Sequence, residues 1–286
     1  MSFKFLNSLL FPEINFSEKQ LTNVLKNKTI LITGASFGIG EALAKSLLVY
    51  DVHLILIART EEKLNQIKSL SIHNNAKVSV YKVDLCNVHS IDNFYNDLVN
   101  QKIKPDVIIN NAGKSVKRSL WDFKDKFYSI ENSIKLNYLA PIHLILKFVS
   151  RIESQNIHIL NISSLTVLLP PFPLWSAYHS SKGAFDIWFK CVESELENAK
   201  IKFSTIYLPL VNTRMITPSQ EYKNMPAMSV GHVSDIVKCM LISKNKNWLP
   251  WWFGLVKALI FVFTPLMFLV KKIYLKYIYA SNKIVS

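Results

Sequence analysis

Thr33-Gly34-Ala35-Ser36-Phe37-Gly38-Ile39-Gly40 closes the β-branched run KTILIT and leads into an amphipathic stretch that reads as a helix from about Glu41. Three of the chain's seven glycines fall in this one strand-to-helix turn. Glycine there lets the backbone turn tightly, approach a pyrophosphate closely and pack the helix on the sheet, while the helix N-terminus offers partial positive charge. Gly34, Ser36, Phe37, Gly38, Ile39 and Gly40 are therefore the first candidate contacts for a dinucleotide.

The same rhythm continues outward from this turn. VHLILIA, KVSVYKV, DVIIN, IHILNIS and KFSTIYL are short apolar runs separated by amphipathic stretches, including helices from Glu61, ending near Val149, and from Ala177 to Leu196. Strands that read as continuous apolar runs are covered on both faces, so the spacing predicts an α/β fold with a doubly wound parallel sheet and right-handed crossovers. A chain of 286 residues, half of them hydrophobic, suffices for one such core. Composition divides it into an N-terminal amphipathic arm (1–26), a dinucleotide-binding catalytic domain (27–243) and a tail (244–286) that is Trp-rich and apolar, then Lys-rich.

Arg59 stands nineteen residues after Gly40, at the end of the second strand. An acid at this place would bond the ribose hydroxyls and repel a 2′-phosphate, whereas arginine pairs with that phosphate. NADP(H) is thus favoured over NAD(H), the alternative being a solvated loop cation. Asp84 and Leu85, closing the third strand, are placed to contact adenine. Asn111, Ala112 and Gly113 end the fourth strand in a small uncharged turn that lets the cofactor lie close over the sheet.

The formal charge is +14, but the lysines are scattered and no zinc finger, helix-turn-helix or RNP-type string accompanies them, which argues against nucleic acid. Anionic lipid or a phosphate-bearing ligand fits better. Cys86, Cys191 and Cys239 form no CxxC, so neither a disulfide framework nor a metal site is indicated, and a reducing, cytosol-facing compartment follows. Cys191 is assigned to packing.

Tyr178 and Lys182 share one helical face by their i, i+4 spacing. A phenol near pKa 10 is a poor acid–base catalyst at neutral pH, and an adjacent cation that favours phenolate is the device it needs. NISS, ending the fifth strand, offers Ser163 and Ser164 at the same sheet edge to polarise a carbonyl oxygen.

TGASFGIG, NNAG, Asn137 within KLNYLAP, NISS and YxxxK together resemble the short-chain dehydrogenase/reductase superfamily, over roughly Lys28 to Val237. The resemblance implies a Rossmann-type domain in which Tyr178 transfers a proton and Lys182 binds the nicotinamide ribose and lowers the phenol pKa. It further implies that Ser164 orients the carbonyl and that Asn137 holds a water in the proton relay. Ser164 lies fourteen residues before Tyr178, one more than is usual, so Ser163 stays open as the working hydroxyl. The family's frequent Pro-Gly after the sixth strand reads Pro209-Leu210, while Val211 and Thr213 keep the rest of that cofactor-contacting pattern.

NNAGKSVKRSL, LNYLAPIHLIL and IYLPLVNTRMITPSQEYKNMPAMS are similar to bacterial short-chain fatty acyl-CoA reductases, which make fatty aldehydes. That likeness implies hydride transfer to a long-chain acyl-CoA thioester. Met215, Ile216, Met225 and Met228 then line an acyl tunnel or, equally, fill core. Lys114, Lys117 and Arg118 meet CoA phosphates or form a solvated basic loop. A ketone or sterol-like hydroxy-lipid dehydrogenase using the same residues is the alternative; the intact Ser-Tyr-Lys set argues against a non-catalytic membrane scaffold. A homo-oligomer through the helices after Asn137 and Ala177 is also implied by the resemblance.

The N-terminal run is short, interrupted and without a cleavage site, so it makes a poor signal peptide. Phe3, Leu6, Leu9 and Leu10 share a helical face suited to packing or to lipid. From Trp248 to Val270 the tail is apolar save for Lys257, long enough at about 1.5 Å per residue to reach across roughly 30 Å of hydrocarbon. Lys257, the interruptions expected at Pro250 and Pro265, and the lysines on both flanks oppose a crossing. Monotopic or re-entrant association with the cytosolic face of a membrane is the expectation, with Trp248 to Phe253 as a last strand, or a tail covering a subunit interface or the tunnel, as alternatives.

Overall fold

A computed structural model describes residues 3–149, 156–196, 200–216, 222 and 224–282. The first half runs α1 (Phe3–Leu10), α2 (Glu18–Leu25), β1 (Lys28–Thr33), α3 (Gly38–Leu47), β2 (Val52–Ala58), α4 (Glu61–Leu70), β3 (Lys77–Lys82), α5 (Val88–Asn100) and β4 (Val107–Asn110). It continues through α6 (Leu120–Phe123), α7 (Phe127–Ile134), α8 (Ala140–Val149), β5 (Ile157–Ser164), α9 (Ser176–Glu195), β6 (Ile201–Leu208), α10 (Val230–Ser243), β7 (Asn247–Trp248) and α11 (Phe253–Asn282).

The seven strands form one sheet in the order β3-β2-β1-β4-β5-β6-β7, every neighbour pair parallel. Ile30, Leu31 and Ile32 of β1 and Ile108 and Ile109 of β4 are fully buried, as strands covered by helices on both faces must be. One core lies between the sheet and α2, α3, α4 and α10; the other holds Phe94, Leu144, Phe185 and Phe189 from α5, α8 and α9. Strand order reverses between β1 and β4, and at such a switch point the loops leaving the carboxyl ends diverge to open a crevice.

Both ends of the chain pack against the sheet domain. Ser17 caps α2 by accepting from the Gln20 N–H at 3.3 Å, and Leu21 and Leu25 are buried in the first core, so α2 packs on the sheet. At the other end β7 pairs with β6, and Phe253 packs with Tyr207 and Leu165; the domain runs on past residue 243. Of the stretch Trp248 to Phe253 offered as a last strand, only Trp248 pairs, within β7 (Asn247–Trp248), and Phe253 begins α11. α3 begins at Gly38, earlier than Glu41, because the last two glycines of the turn form its first coil.

Pro250 precedes α11, but Pro265 does not interrupt it, and the tail is one continuous helix in place of a re-entrant pair. Among the described residues no helix is long and apolar enough to cross a membrane. The indoles of Trp251 and Trp252 donate to the carbonyls of Leu9 (3.2 Å) and Leu10 (3.1 Å), tying α1 to the start of α11. These two indoles therefore bond protein carbonyls.

Leu21→Ala and Leu25→Ala should each lower the unfolding free energy by about 2–5 kcal/mol in urea titrations, the range for a leucine removed from a packed core. Changes of both within about 0.5 kcal/mol, as for surface sites, would show that the arm is not part of the domain.

Candidate active site

Thr33, the last residue of β1, joins the two loops of the crevice. Its hydroxyl accepts the N–H groups of Asn111 (3.0 Å) and Ala112 (2.9 Å), and the Asn111 amide donates back to the carbonyls of Thr33 (2.9 Å) and Gly34 (3.2 Å). Gly34 has φ +66°, a left-handed conformation that a side chain disfavours. A Cβ on Gly40 would collide with the Gly34 carbonyl and the Asn111 amide. Asn111 therefore braces the glycine turn with its side chain.

The turn fits the diphosphate of a dinucleotide. Phe37 occupies the cap position of α3 with an extended backbone and no side-chain hydrogen bond to the first turn, so no capping side chain competes for the helix N-terminus. Arg59 is exposed just beyond β2, and no acidic side chain pairs with it among the described residues. Asp84 is exposed and accepts from the Cys86 N–H at 3.0 Å. Leu85 is buried in the second core, where its side chain packs. Past β6, Val211 is likewise core and bridges to Met228. Pro209 opens this segment, and Thr213 comes within reach of Gly38.

Tyr178 and Lys182 lie in the first turns of α9, against the end of β5. Ser164 accepts from the Thr166 N–H (3.3 Å) and hydroxyl (3.0 Å), and it favours the ionised form of the Tyr178 phenol. Ser163, one residue back on the alternating strand, is buried with no partner for its hydroxyl. Of the two serines, Ser164 is the one whose hydroxyl acts on the Tyr178 phenol.

Burial raises the Tyr178 phenol above its usual pKa, and the bond from Ser164 offsets this only in part. Lys182 is buried, donates to the Ile162 carbonyl at 3.2 Å, and is pushed down to about 8 by desolvation. The expected lowering of the phenol by its neighbour is thus absent in this state: loss of solvent dominates both groups. The phenol keeps its proton through neutral pH, the state a proton donor requires.

Asn137 sits in a π-helical turn, Lys135–Leu139, between α7 and α8. Its Oδ1 accepts from the Lys114 N–H (2.8 Å), and its Nδ2 donates to the Lys114 carbonyl (2.8 Å) and the Ser181 hydroxyl (3.0 Å). Ser181 in turn donates to the Tyr178 carbonyl at 3.0 Å. The carboxamide bonds protein partners on both its oxygen and its nitrogen, so it staples the Gly113-Lys114 turn to α9.

Several participants escaped the sequence reading. Thr33 and Ser181 look like ordinary small polar residues until their partners are seen. Trp175, one turn before Tyr178, packs edge-on to it at 5.9 Å between centroids and lies 6.3 Å from Tyr222; its one-turn spacing was the available signal. Of the proposed tunnel residues Met215 and Met225 are exposed, Ile216 is half-buried, and Met228 is fully buried core. Cys191 is exposed, not packed. No cluster suited to a metal ion occurs among the described residues. An apolar cavity of about 210 Å³ beside Leu98, Phe148 and Ile157 opens at the amino ends of the strands, away from this chemistry.

The sequence profile of the short chain dehydrogenase family matches residues 28–224. The chain is 34% identical over 224 residues to a fatty acyl-CoA reductase of Acinetobacter baylyi, covering 78% of this chain and 76% of that one. It is 31% identical over 212 residues to a fatty acyl-CoA reductase of Mycobacterium tuberculosis, covering 74% and 72%. Its fold is similar to a short-chain dehydrogenase from Sphingobium yanoikuyae in complex with NADPH, with TM-score 0.72, 23% identity and coverage of 84% and 94%. A metagenomic short-chain oxidoreductase in complex with NADP gives TM-score 0.67 at 24% identity, covering 79% and 97%.

Lys182 also predicts a pH dependence of stability. The folded chain releases this proton near 8, whereas an unfolded lysine holds it to about 10.4. Between those values the unfolded state binds more protons, so Lys182 makes the fold more stable as pH rises. The stability of the wild type relative to Lys182→Met should climb by on the order of 3 kcal/mol from below pH 8 to above 10.4 in denaturant titrations. A pH-independent difference would place the ammonium in water.

Proposed function

Because the chain belongs to the short-chain dehydrogenase family and is an oxidoreductase of that type, we propose that it reduces a long-chain acyl-CoA thioester to the fatty aldehyde with NADPH. The substrate reading is carried by the relatives named fatty acyl-CoA reductases, which align over about three-quarters of both chains. The donor set fits. Tyr178 is a half-buried, protonated phenol, and Ser164 acts on it from the end of β5. Arg118, beside the crevice, has a buried guanidinium nitrogen with no hydrogen-bond partner, suited to a phosphate of the CoA moiety.

NADPH, when bound, supplies the hydride to the thioester carbonyl carbon. Tyr178 and Ser164 meet the negative charge that grows on the carbonyl oxygen, and Tyr178 gives up its proton there. Collapse of the resulting hemithioacetal breaks the C–S bond and releases free CoA thiol with the aldehyde. Asn137 and Ser181 keep the start of α9 fixed against the Gly113 turn, so the phenol does not wander from the oxygen it serves. The exposed Arg59 provides charge for a 2′-phosphate, which supports NADPH over NADH.

We also propose that the chain works on the cytosolic face of a membrane, resting on its surface. Leu255, Leu259, Phe261, Val262 and Phe263 of α11 are exposed, and the two indole bonds hold α1 beside them. Exposed Lys272 and Lys276 and the +14 net charge suit anionic headgroups.

With palmitoyl-CoA, NADPH oxidation should be matched by equal thiol release, and Tyr178→Phe should reduce the rate by about 10²–10⁴-fold. Turnover of long-chain ketones with none of palmitoyl-CoA would reverse the substrate assignment in favour of a lipid ketone reductase. The full chain should sediment with vesicles containing phosphatidylserine, and Phe261→Ser/Phe263→Ser should not; a wild type left in the supernatant would exclude the surface reading.

A further inference from the structure

Phe37 is an unusual residue to find at the cap of α3. Its side chain supplies no acceptor to the helix, yet it is not idle: the Arg214 guanidinium carbon lies 3.2 Å from its ring centroid, in face contact. Arg214 belongs to the segment that leaves β6 on the far side of the crevice. The neighbouring Thr213 Cγ2 is 3.3 Å from where a side chain on Gly38 would begin. Two chain segments separated by about 175 residues thus touch directly over the glycine turn.

The charges at this contact lack a counterpart. Stacking occupies the face of a guanidinium and leaves its edge donors available. No hydrogen bond or ion pair engages the Arg214 side chain among the described residues. Lys63 Nζ approaches the same ring at 6.0 Å. Both cations stand at the positive end of α3, where the one acid of the first turn, Glu41, is already paired with Lys45 at 2.6 Å. Positive charge gathered at a helix N-terminus without an acidic partner favours the arrival of an anion.

We propose that Arg214, held flat by Phe37, clasps the pyrophosphate of the bound dinucleotide and so ties the segment after β6 to the glycine turn. This inference rests on the dinucleotide reading of the site. It assigns Arg214 to binding and retention of the nucleotide, with Phe37 as the residue that positions it. The pyrophosphate is the target because Phe37 lies inside the turn itself, whereas Arg59, after β2, stands where a 2′-phosphate is read.

The test is fluorescence titration of the full chain with NADPH and with NADH, a readout independent of turnover. Arg214→Met keeps the bulk over Phe37 and removes the charge; it should weaken both nucleotides by about tenfold or more, the effect of one charge-assisted bond. Arg214→Lys should recover part of that loss, and Phe37→Ala should reproduce it with the arginine intact. Arg59→Met should weaken NADPH alone. Unchanged affinity in Arg214→Met while the wild type binds would overturn the proposal, and a loss confined to NADPH would overturn the pyrophosphate assignment. A wild type that binds neither nucleotide would instead bring down the dinucleotide reading, and the clasp with it.

Discussion

The hydroxyl of Thr33 holds the crevice together. Strand order reverses between β1 and β4, and the loops leaving those strands would separate unless something joined them. Thr33 Oγ1 takes the two N–H groups at the start of the β4 loop, while Asn111 returns two bonds to the β1 loop. These groups are partly buried, and each would carry a desolvation penalty of about 1–3 kcal/mol if left unpaired. The glycine turn can therefore keep its left-handed Gly34, because the opposing loop determines where its carbonyls point.

From that knot the chemistry is assembled outward by burial more than by charge pairing. Tyr178 and Lys182 are neighbours on a helix, yet each has its proton affinity governed by loss of solvent: the phenol is raised and the ammonium is brought down to about 8. Ser164 provides the counterweight at the phenol, and the Ile162 carbonyl accepts from the lysine. Asn137 and Ser181 carry the rigidity of the Gly113 turn into the first turn of α9. A protonated phenol at a braced position suits reduction of a carbonyl, where charge develops on oxygen and must be met at once.

The termini belong to the same structure. α2 buries two leucines, β7 extends the sheet, and Phe253 anchors the tail beside Tyr207. The indole bonds from Trp251 and Trp252 to α1 place the first and last helices side by side, so the apolar surface beyond them is composite. Polar indole ends that meet backbone carbonyls, with apolar residues exposed beyond, are a way to hold a surface helix in one orientation.

Sequence alone determined the class of fold, the order of strands and helices, the glycine turn, and the Tyr178–Lys182 pair. All of these rest on periodicity or on spacings of a few residues, which near-neighbour backbone geometry dictates. Tertiary structure gave Ser164 its influence on the Tyr178 phenol, made braces of the Asn111 and Asn137 side chains, packed the side chains of Leu85, Val211 and Met228 into the core, and brought Arg214 onto Phe37. Such pairings join residues tens to hundreds of positions apart, up to the 242 between Leu9 and Trp251. Which of them meet depends on how whole elements dock and on which polar groups lose water together, and no local pattern in the chain encodes that.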